Sequence, residues 1–139
     1  MMNFGGEPLI SHVVAAASAA DGIEGCVVVT SDDPSDDPLA EWCHSRRVEM
    51  WRGSLHDVGS RLIQAATYYR APSFVRLSGD SPMIDPNIIT HAVHQYDQLR
   101  VDLVTNLKPR SFPPGQSVEV VRTEILEQML EANGVTSSD

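Results

Sequence analysis

Near the start of the chain, apolar residues first recur at helical spacing and then, in the next segment, form an unbroken run. A helix from about Pro8 to Ala20 is predicted by apolar side chains that recur three or four residues apart, namely Leu9, Ile10, Val13, Val14 and Ala17. Residues Gly25 to Thr30 then form a short β-branched run without alternation. This pattern is typical of a strand buried on both faces, as in a parallel sheet.

Helices and strands continue to alternate along the rest of the chain. Further strands are predicted at Val48–Trp51 and Phe74–Ser78, with weaker ones at Asp102–Thr105 and Ser117–Val121. The intervening and final helices are expected to be capped by Ser35, by Ser54 with Asp57, by Asp85 before Pro86, and by Thr123. The alternation predicts one α/β domain over residues 1–139, with a three-layer, mainly parallel sheet.

The charge balance argues against nucleic acid as a partner. Ten Lys and Arg stand against nineteen Asp and Glu, which gives a net charge of −9, and Lys108 is the only lysine. No lysine-rich face is therefore expected that could neutralise a phosphate backbone. One cluster of acids comprises Asp32, Asp33, Asp36 and Asp37. It lacks the glycine and the closing glutamate of an EF-hand calcium loop, so we expect it to be the solvated start of a helix.

Neither targeting nor disulfide signals are evident. The apolar run Val13–Ala17 is too short for a signal sequence or a membrane span, so no membrane partner and a cytoplasmic location are expected. Cys26 and Cys43 lack Cys-x-x-Cys spacing and are expected to be buried free thiols.

Candidate chemistry lies where the predicted strands end. Ligands of open α/β sheets bind outside the carboxyl ends of the strands, which selects Ser31–Asp33, Arg52–Ser54 and Ser78–Asp85. In the third segment Gly79 permits a sharp turn and Asp80 is placed to hold a divalent cation that bridges phosphate oxygens. The alternative is that Asp80 caps the turn that follows it.

Residues Val75–Pro86, which read V-R-L-S-G-D-S-P-M-I-D-P, closely resemble the R-x-T-G-D-x-P-L-I-D-P stretch of bacterial cytidylyltransferases. The resemblance is strongest to the spore-coat polysaccharide and CMP-acidic-sugar synthetase group. Further matches run in the family's order: Gly5–Ile10, Thr30–Pro34, Arg52–Ser54 with Asp57 and Arg61, Arg110–Gly115, and Val118–Val120.

The resemblance implies a Rossmann-like nucleotidyltransferase fold, as in the nucleotide-diphospho-sugar transferases. In that chemistry a sugar hydroxyl attacks the α-phosphorus of CTP, pyrophosphate leaves, and Mg²⁺ neutralises the phosphates. By matching positions, Asp80 is implied as the catalytic metal ligand and Arg52 as a second catalytic residue. The residues implied to contact nucleotide or sugar are Ser54, Arg61, Arg76 and Asn106.

The chain also departs from the family's pattern. The pattern begins with a strand and a Gly/Arg/Lys loop that have no counterpart before Gly5, and it includes a late Asp with no counterpart before Asp139. Ser117 stands where the family often has Asp. We therefore expect weak or lost catalysis, and the alternative is a non-catalytic nucleotide-binding, sugar-binding or assembly module.

The missing first strand predicts self-association. In the family it lies between the strands that correspond to Cys26–Thr30 and Phe74–Ser78. Its loss would leave unpaired backbone groups, each of which costs about 1–3 kcal/mol when buried. Either the two strands close together or a segment of another chain covers the edge, so we expect a homodimer or a larger homo-oligomer.

Overall fold

A computed structural model describes residues 1–107 and 113–134. In chain order the elements are β1 (Asn3–Phe4), β2 (Glu7–Pro8), α1 (Leu9–Ala19), β3 (Val27–Ser31), a 3₁₀ turn (Pro34–Asp36), α2 (Asp37–Arg46), β4 (Glu49–Gly53), α3 (Val58–Tyr68), β5 (Ser73–Arg76), α4 (Pro86–Leu99), β6 (Leu103–Thr105), β7 (Glu119–Arg122) and α5 (Thr123–Ala132). The predicted helices and strands are thus confirmed to within a few residues. None of the described helices has the length and apolar character needed to cross a membrane.

The chain divides into two compact units. Unit 1 comprises Met1–Cys26 and Val75–Val121, and unit 2 comprises Val27–Phe74 and Arg122–Asp139. The described strands form three sheets, ordered β1-β2, β3-β4 and β5-β7-β6. The α/β architecture is as predicted, and the β3-β4 pair is parallel.

Two strand pairs are antiparallel. β6 and β7 pair antiparallel because a parallel return requires a crossover connection, usually a helix, and no helix stands in the described part of the segment between them. β1 and β2 form a minimal antiparallel hairpin through Gly5 and Gly6, whose φ angles are 61° and 85°. The hairpin was not predicted, and it places Pro8 in β2 rather than in the first turn of α1.

The core of unit 1 is built mainly from α1, α4 and the strand β7. Its buried side chains are Val13, Ala16, Ala20, Ile84, Ile89, Ala92, Val118 and Val120. Ile84 belongs to the loop between β5 and α4 rather than to a helix or strand. This loop is therefore anchored in the core at its end.

In unit 2, α3 packs closely against α5. A Cβ atom at Gly59 would lie 2.9 Å from Cδ1 of Leu130, so the glycine lets the two helices approach. Cys43 is completely buried in this unit, whereas Cys26 of unit 1 is partly buried, and as predicted the two cysteines form no disulfide. Burial raises the pKa of the Cys26 thiol.

Two of the predicted helix caps are wrong. Ser35 caps no helix: Asp33 caps the 3₁₀ turn by accepting a hydrogen bond from the Ser35 amide at 2.9 Å, and the N-cap residue of α2, Asp36, makes no side-chain cap bond. The Thr123 hydroxyl donates to the Ala71 carbonyl at 2.7 Å instead of capping α5. Thr123 is the first residue of α5, whose N-cap residue is Arg122, so its hydroxyl does not stand at the capping position.

Helix α2 ends on Arg47, an exposed residue in the left-handed region with a φ of 57°. An L-residue with a Cβ pays about 1–2 kcal/mol for this conformation, and glycine, which does not, loses more entropy on folding. We expect Arg47→Gly to raise the free energy of unfolding by about 0.5–1 kcal/mol, measured by urea titration. Arg47→Ala keeps the backbone penalty and should not stabilise. If Arg47→Ala stabilised the protein as much as Arg47→Gly, the Arg47 side chain and not its φ angle would be responsible.

Candidate functional site

The carboxyl end of β3 is held by the carboxylate of Asp36. It accepts hydrogen bonds from the Thr30 hydroxyl at 2.8 Å, from the Ser31 amide at 3.1 Å and from the Ser31 hydroxyl. These bonds, those from Ser31 first, hold the pKa of Asp36 below its ordinary value, and the charge of Arg61 lowers it further. Asp36 is thus not the solvated acid that the sequence predicted. Nothing in the sequence distinguishes Asp36 from the other three acids of the cluster, so its bonds to β3 could not be predicted.

Arg52, at the end of β4, holds the same loop from the other side. Its Nε donates to the Ser31 carbonyl at 2.8 Å, and its Nη2 donates to the Asp33 carbonyl at 3.0 Å and to Asp37 Oδ1 at 2.8 Å. The side chain predicted to be catalytic is therefore bound to the loop between β3 and α2. These bonds fix the direction of a cationic group at the strand ends.

Arg61 lies across the turn that follows β4. Its Nη1 donates to the Ser54 carbonyl at 3.1 Å, and its Nε is buried with no hydrogen-bond partner within the described ranges. A Cβ at Gly53 would lie 2.6 Å from Cβ of Arg61, so this close approach requires glycine at position 53. A buried N–H without a partner is uncommon and can be satisfied by an oxygen of a bound molecule.

The start of α3 confirms the predicted pairing of Ser54 with Asp57. The Ser54 hydroxyl accepts from the Asp57 amide at 3.2 Å, and Asp57 caps the helix by accepting from the Ser60 amide at 3.0 Å. The bonds from Ser60 hold the pKa of Asp57 below its usual range. Ser54 therefore has two contacts in unit 2: its hydroxyl bonds to Asp57 and its carbonyl accepts from Arg61.

In unit 1, Asp80 stands exposed in the loop between β5 and α4. The Ser78 hydroxyl donates to its carboxylate, and the Ser81 amide donates to the Ser78 carbonyl at 3.3 Å. In the part of the chain that the structure describes, no group of three or more His, Cys, Asp or Glu residues could hold a metal ion. A cation at Asp80 would complete its coordination with water and phosphate oxygens, which is the usual arrangement for Mg²⁺. A single exposed carboxylate fits that role.

The side chains of Arg76 and Asn106, which were predicted to contact nucleotide or sugar, both interact with other groups of unit 1. Nη1 of Arg76, which is about half exposed, lies 3.9 Å from Glu119 Oε1. The Asn106 amide donates to the Gln116 carbonyl at 2.6 Å and accepts from the Val118 amide at 2.9 Å. The Asn106 side chain therefore holds the segment before β7. The matched residues Arg110–Phe112, like Lys108, lie outside the described residues.

A family model described as cytidylyltransferase matches residues 1–137. This chain belongs to the cytidylyltransferase family. The resemblance found in the sequence is thereby confirmed.

Individual relatives agree with this assignment. The chain is 31% identical over 132 residues to a 3-deoxy-manno-octulosonate cytidylyltransferase of Chlorobium phaeobacteroides, covering 93% of this chain and 51% of that protein. It is 26% identical over 118 residues to the spore coat polysaccharide biosynthesis protein SpsF of Bacillus subtilis, covering 85% of this chain and 48% of that protein. This cytidylyltransferase chain spans about half the length of these curated relatives.

A solved structure confirms the fold. A cytidylyltransferase from Leptospira borgpetersenii superimposes with a TM-score of 0.85 at 28% identity, covering 99% of this chain and 57% of that one. The predicted Rossmann-like α/β fold is therefore that of a solved family member.

The lowered pKa of Asp36 predicts an acid-sensitive loop in this cytidylyltransferase chain. A carboxyl group whose folded pKa is depressed contributes stability above its unfolded pKa of about 3.9, and this stability is lost as the pH falls through the folded value. Asp36→Asn should therefore lower the free energy of unfolding at pH 6 and flatten its decline below about pH 4, measured by urea titration at each pH. Glu41→Gln, an exposed change on α2, should keep the original slope. An unchanged slope in Asp36→Asn would contradict this account.

Proposed function

We propose that this chain binds CTP together with Mg²⁺ and transfers its cytidylyl group to a sugar, with the weak activity expected from its departures from the family's pattern. A hydroxyl oxygen of the sugar forms a bond to the α-phosphorus of CTP and gives its proton to water. The bond between the α-phosphorus and the oxygen that joins it to the β-phosphorus breaks, and pyrophosphate leaves. The observation that carries the proposal is the family match over residues 1–137, with Asp80 exposed in the matched loop.

Asp80 is the proposed ligand of Mg²⁺. When bound, Mg²⁺ neutralises the charge of the phosphate oxygens. The role of the chain is to present one carboxylate from a loop whose turns are closed by its own backbone, at Ser81 to Ser78 and at Ile84 to Ser81. Transfer to phosphorus depends mainly on such positioning and on charge stabilisation.

Two guanidinium groups of unit 2 are proposed to act on the nucleotide. Arg61 offers the buried Nε hydrogen that has no partner among the described residues, and Arg52 keeps a fixed positive charge at the end of β4. Ser54, Arg76 and Asn106 are proposed as contacts to nucleotide or sugar. Of these, Asn106 already uses one amide hydrogen for Gln116 and one lone pair of its oxygen for Val118, so a ligand would bond to the second hydrogen or the second lone pair.

The relatives suggest the biological setting. One is named for 3-deoxy-manno-octulosonate and another for spore coat polysaccharide. We propose an acidic sugar as the acceptor and a role in polysaccharide biosynthesis. The proposed use of CTP favours the cytoplasm, where nucleoside triphosphates are made.

Calorimetric titration with CTP, CMP and other nucleoside triphosphates, with and without Mg²⁺, tests the proposal. Mg²⁺ should tighten CTP binding, and Asp80→Asn should remove this effect, a loss of about tenfold in affinity. Asp97→Asn, a change on the exposed side of α4, should behave as the original chain. Mg²⁺ dependence that survives Asp80→Asn, or no nucleotide binding at all, would refute the proposed site. Binding without pyrophosphate release would identify a non-catalytic nucleotide-binding module.

Self-association is proposed from the small parallel sheet. Among the described strands, β3 pairs with β4 alone, and edges of this kind pair readily with another chain. We expect sedimentation at micromolar concentration to give a mass of at least twice 15.2 kDa. A 15.2 kDa monomer that unfolds cooperatively would contradict a homo-oligomer.

A further inference from the structure

The side chain of Gln116 makes two hydrogen bonds to the backbone of the loop that carries Asp80. Its Nε2 donates to the Met83 carbonyl at 2.6 Å, and its Oε1 accepts from the Asp85 amide at 3.0 Å. These two backbone groups flank Ile84, whose side chain is 5% exposed and lies in the core of unit 1. One side-chain amide therefore satisfies the backbone on both sides of the residue that anchors the loop.

Gln116 can hold the loop because its own backbone is held. Its amide donates to the Pro113 carbonyl at 3.2 Å, and its carbonyl accepts from the Asn106 amide at 2.6 Å. The other end of the Asn106 amide accepts from Val118, which is 1% exposed. The bonds thus connect Gln116 to a buried residue that leads into β7.

A continuous set of short-range bonds leads from Gln116 to Asp80. The Ile84 amide donates to the Ser81 carbonyl at 3.2 Å, and the Ser81 amide donates to the Ser78 carbonyl at 3.3 Å. The Ser78 hydroxyl then donates to Asp80. The loop is two successive turns, and Asp80 lies in the first of them. We therefore expect a change in the second turn to shift the carboxylate.

We infer that Gln116 is a positioning residue for Asp80, fixing its carboxylate where it can bind a divalent cation. The inference rests on the proposed function. It depends on the chemistry of the amide, which supplies one donor and one acceptor. A carboxylate at position 116 would accept from Asp85 but would set an oxygen against the Met83 carbonyl. A leucine would leave both backbone groups without their partner.

Mn²⁺, observed by electron paramagnetic resonance in the presence of CTP, is the probe for this role. The variants are Gln116→Leu, which loses both bonds, Gln116→Glu, which keeps the acceptor, and Asp80→Asn as the reference for a lost ligand. Gln128→Leu makes the same chemical change at an exposed position of α5, in unit 2. All are compared at a temperature at which circular dichroism shows them folded.

We expect Gln116→Leu to weaken Mn²⁺ binding about tenfold, as loss of a group that orients a metal ligand does. CTP affinity without a cation should change less than twofold, and Gln116→Glu should be intermediate. Gln128→Leu should match the original chain. A variant that melts at a lower temperature but binds Mn²⁺ as tightly as before would show a merely structural role and overturn the inference.

Amide hydrogen exchange separates this inference from the proposed function. The Ile84 and Asp85 amides should exchange faster in Gln116→Leu, while the amides of α5 stay unchanged. If the original chain does not bind Mn²⁺ through Asp80, the proposed function fails, and the exchange rates alone decide whether Gln116 holds the loop. If Asp80→Asn loses Mn²⁺ but Gln116→Leu does not, the inference fails and the proposed function stands.

Discussion

Backbone groups at the ends of strands must find partners, and in this chain side chains supply them. In unit 2 the carboxylate of Asp36 accepts from the amide and hydroxyl of Ser31, and Arg52 donates to its carbonyl. In unit 1 the amide of Gln116 bonds to the backbone on both sides of Ile84. A buried peptide group without a partner costs as much as a typical stabilising contact contributes, so the bonds to the buried Ser31 decide where its loop can lie. The bonds of Gln116 are exposed, and their effect is on the geometry of the loop.

This constraint separates two kinds of polar residue that look alike in the sequence. Arg52, Asp36 and Asn106 give hydrogen-bonding atoms to the loops around them. Asp80 is exposed, and Arg61 has a buried Nε with no partner within the described ranges. The second kind has capacity left for a ligand. The proposed chemistry therefore depends most on Asp80 and Arg61, and on the residues that hold their loops in place.

Family membership fits this division of roles. The match covers residues 1–137, and the loop with Asp80 keeps the family's Gly-Asp pair and its Asp-Pro helix start. Asp85 caps α4 by accepting from the Asn87 amide at 2.8 Å while its own amide bonds to Gln116. The capping residue thus joins the loop to the helix.

Local patterns in the sequence were sufficient for the positions of α1–α5 and β3–β7, the α/β class, the cap at Asp85 and the Ser54–Asp57 pair, but not for the β1–β2 hairpin. Each of these depends on residues that are neighbours along the chain or on hydrophobic periodicity. The motif around Asp80 was likewise sufficient to identify the family. Partners distant in sequence were decided by tertiary structure alone. Asp36 accepts from Ser31, the Thr123 hydroxyl donates to the Ala71 carbonyl and does not cap α5, and Gln116 donates to Met83 across more than thirty positions. The sequence pattern does not show which acid or amide will be hydrogen-bonded, because the residues next to a bonded side chain are of the same kinds as those next to an exposed one. Which of them is bonded depends on the backbone groups that folding brings within hydrogen-bond distance.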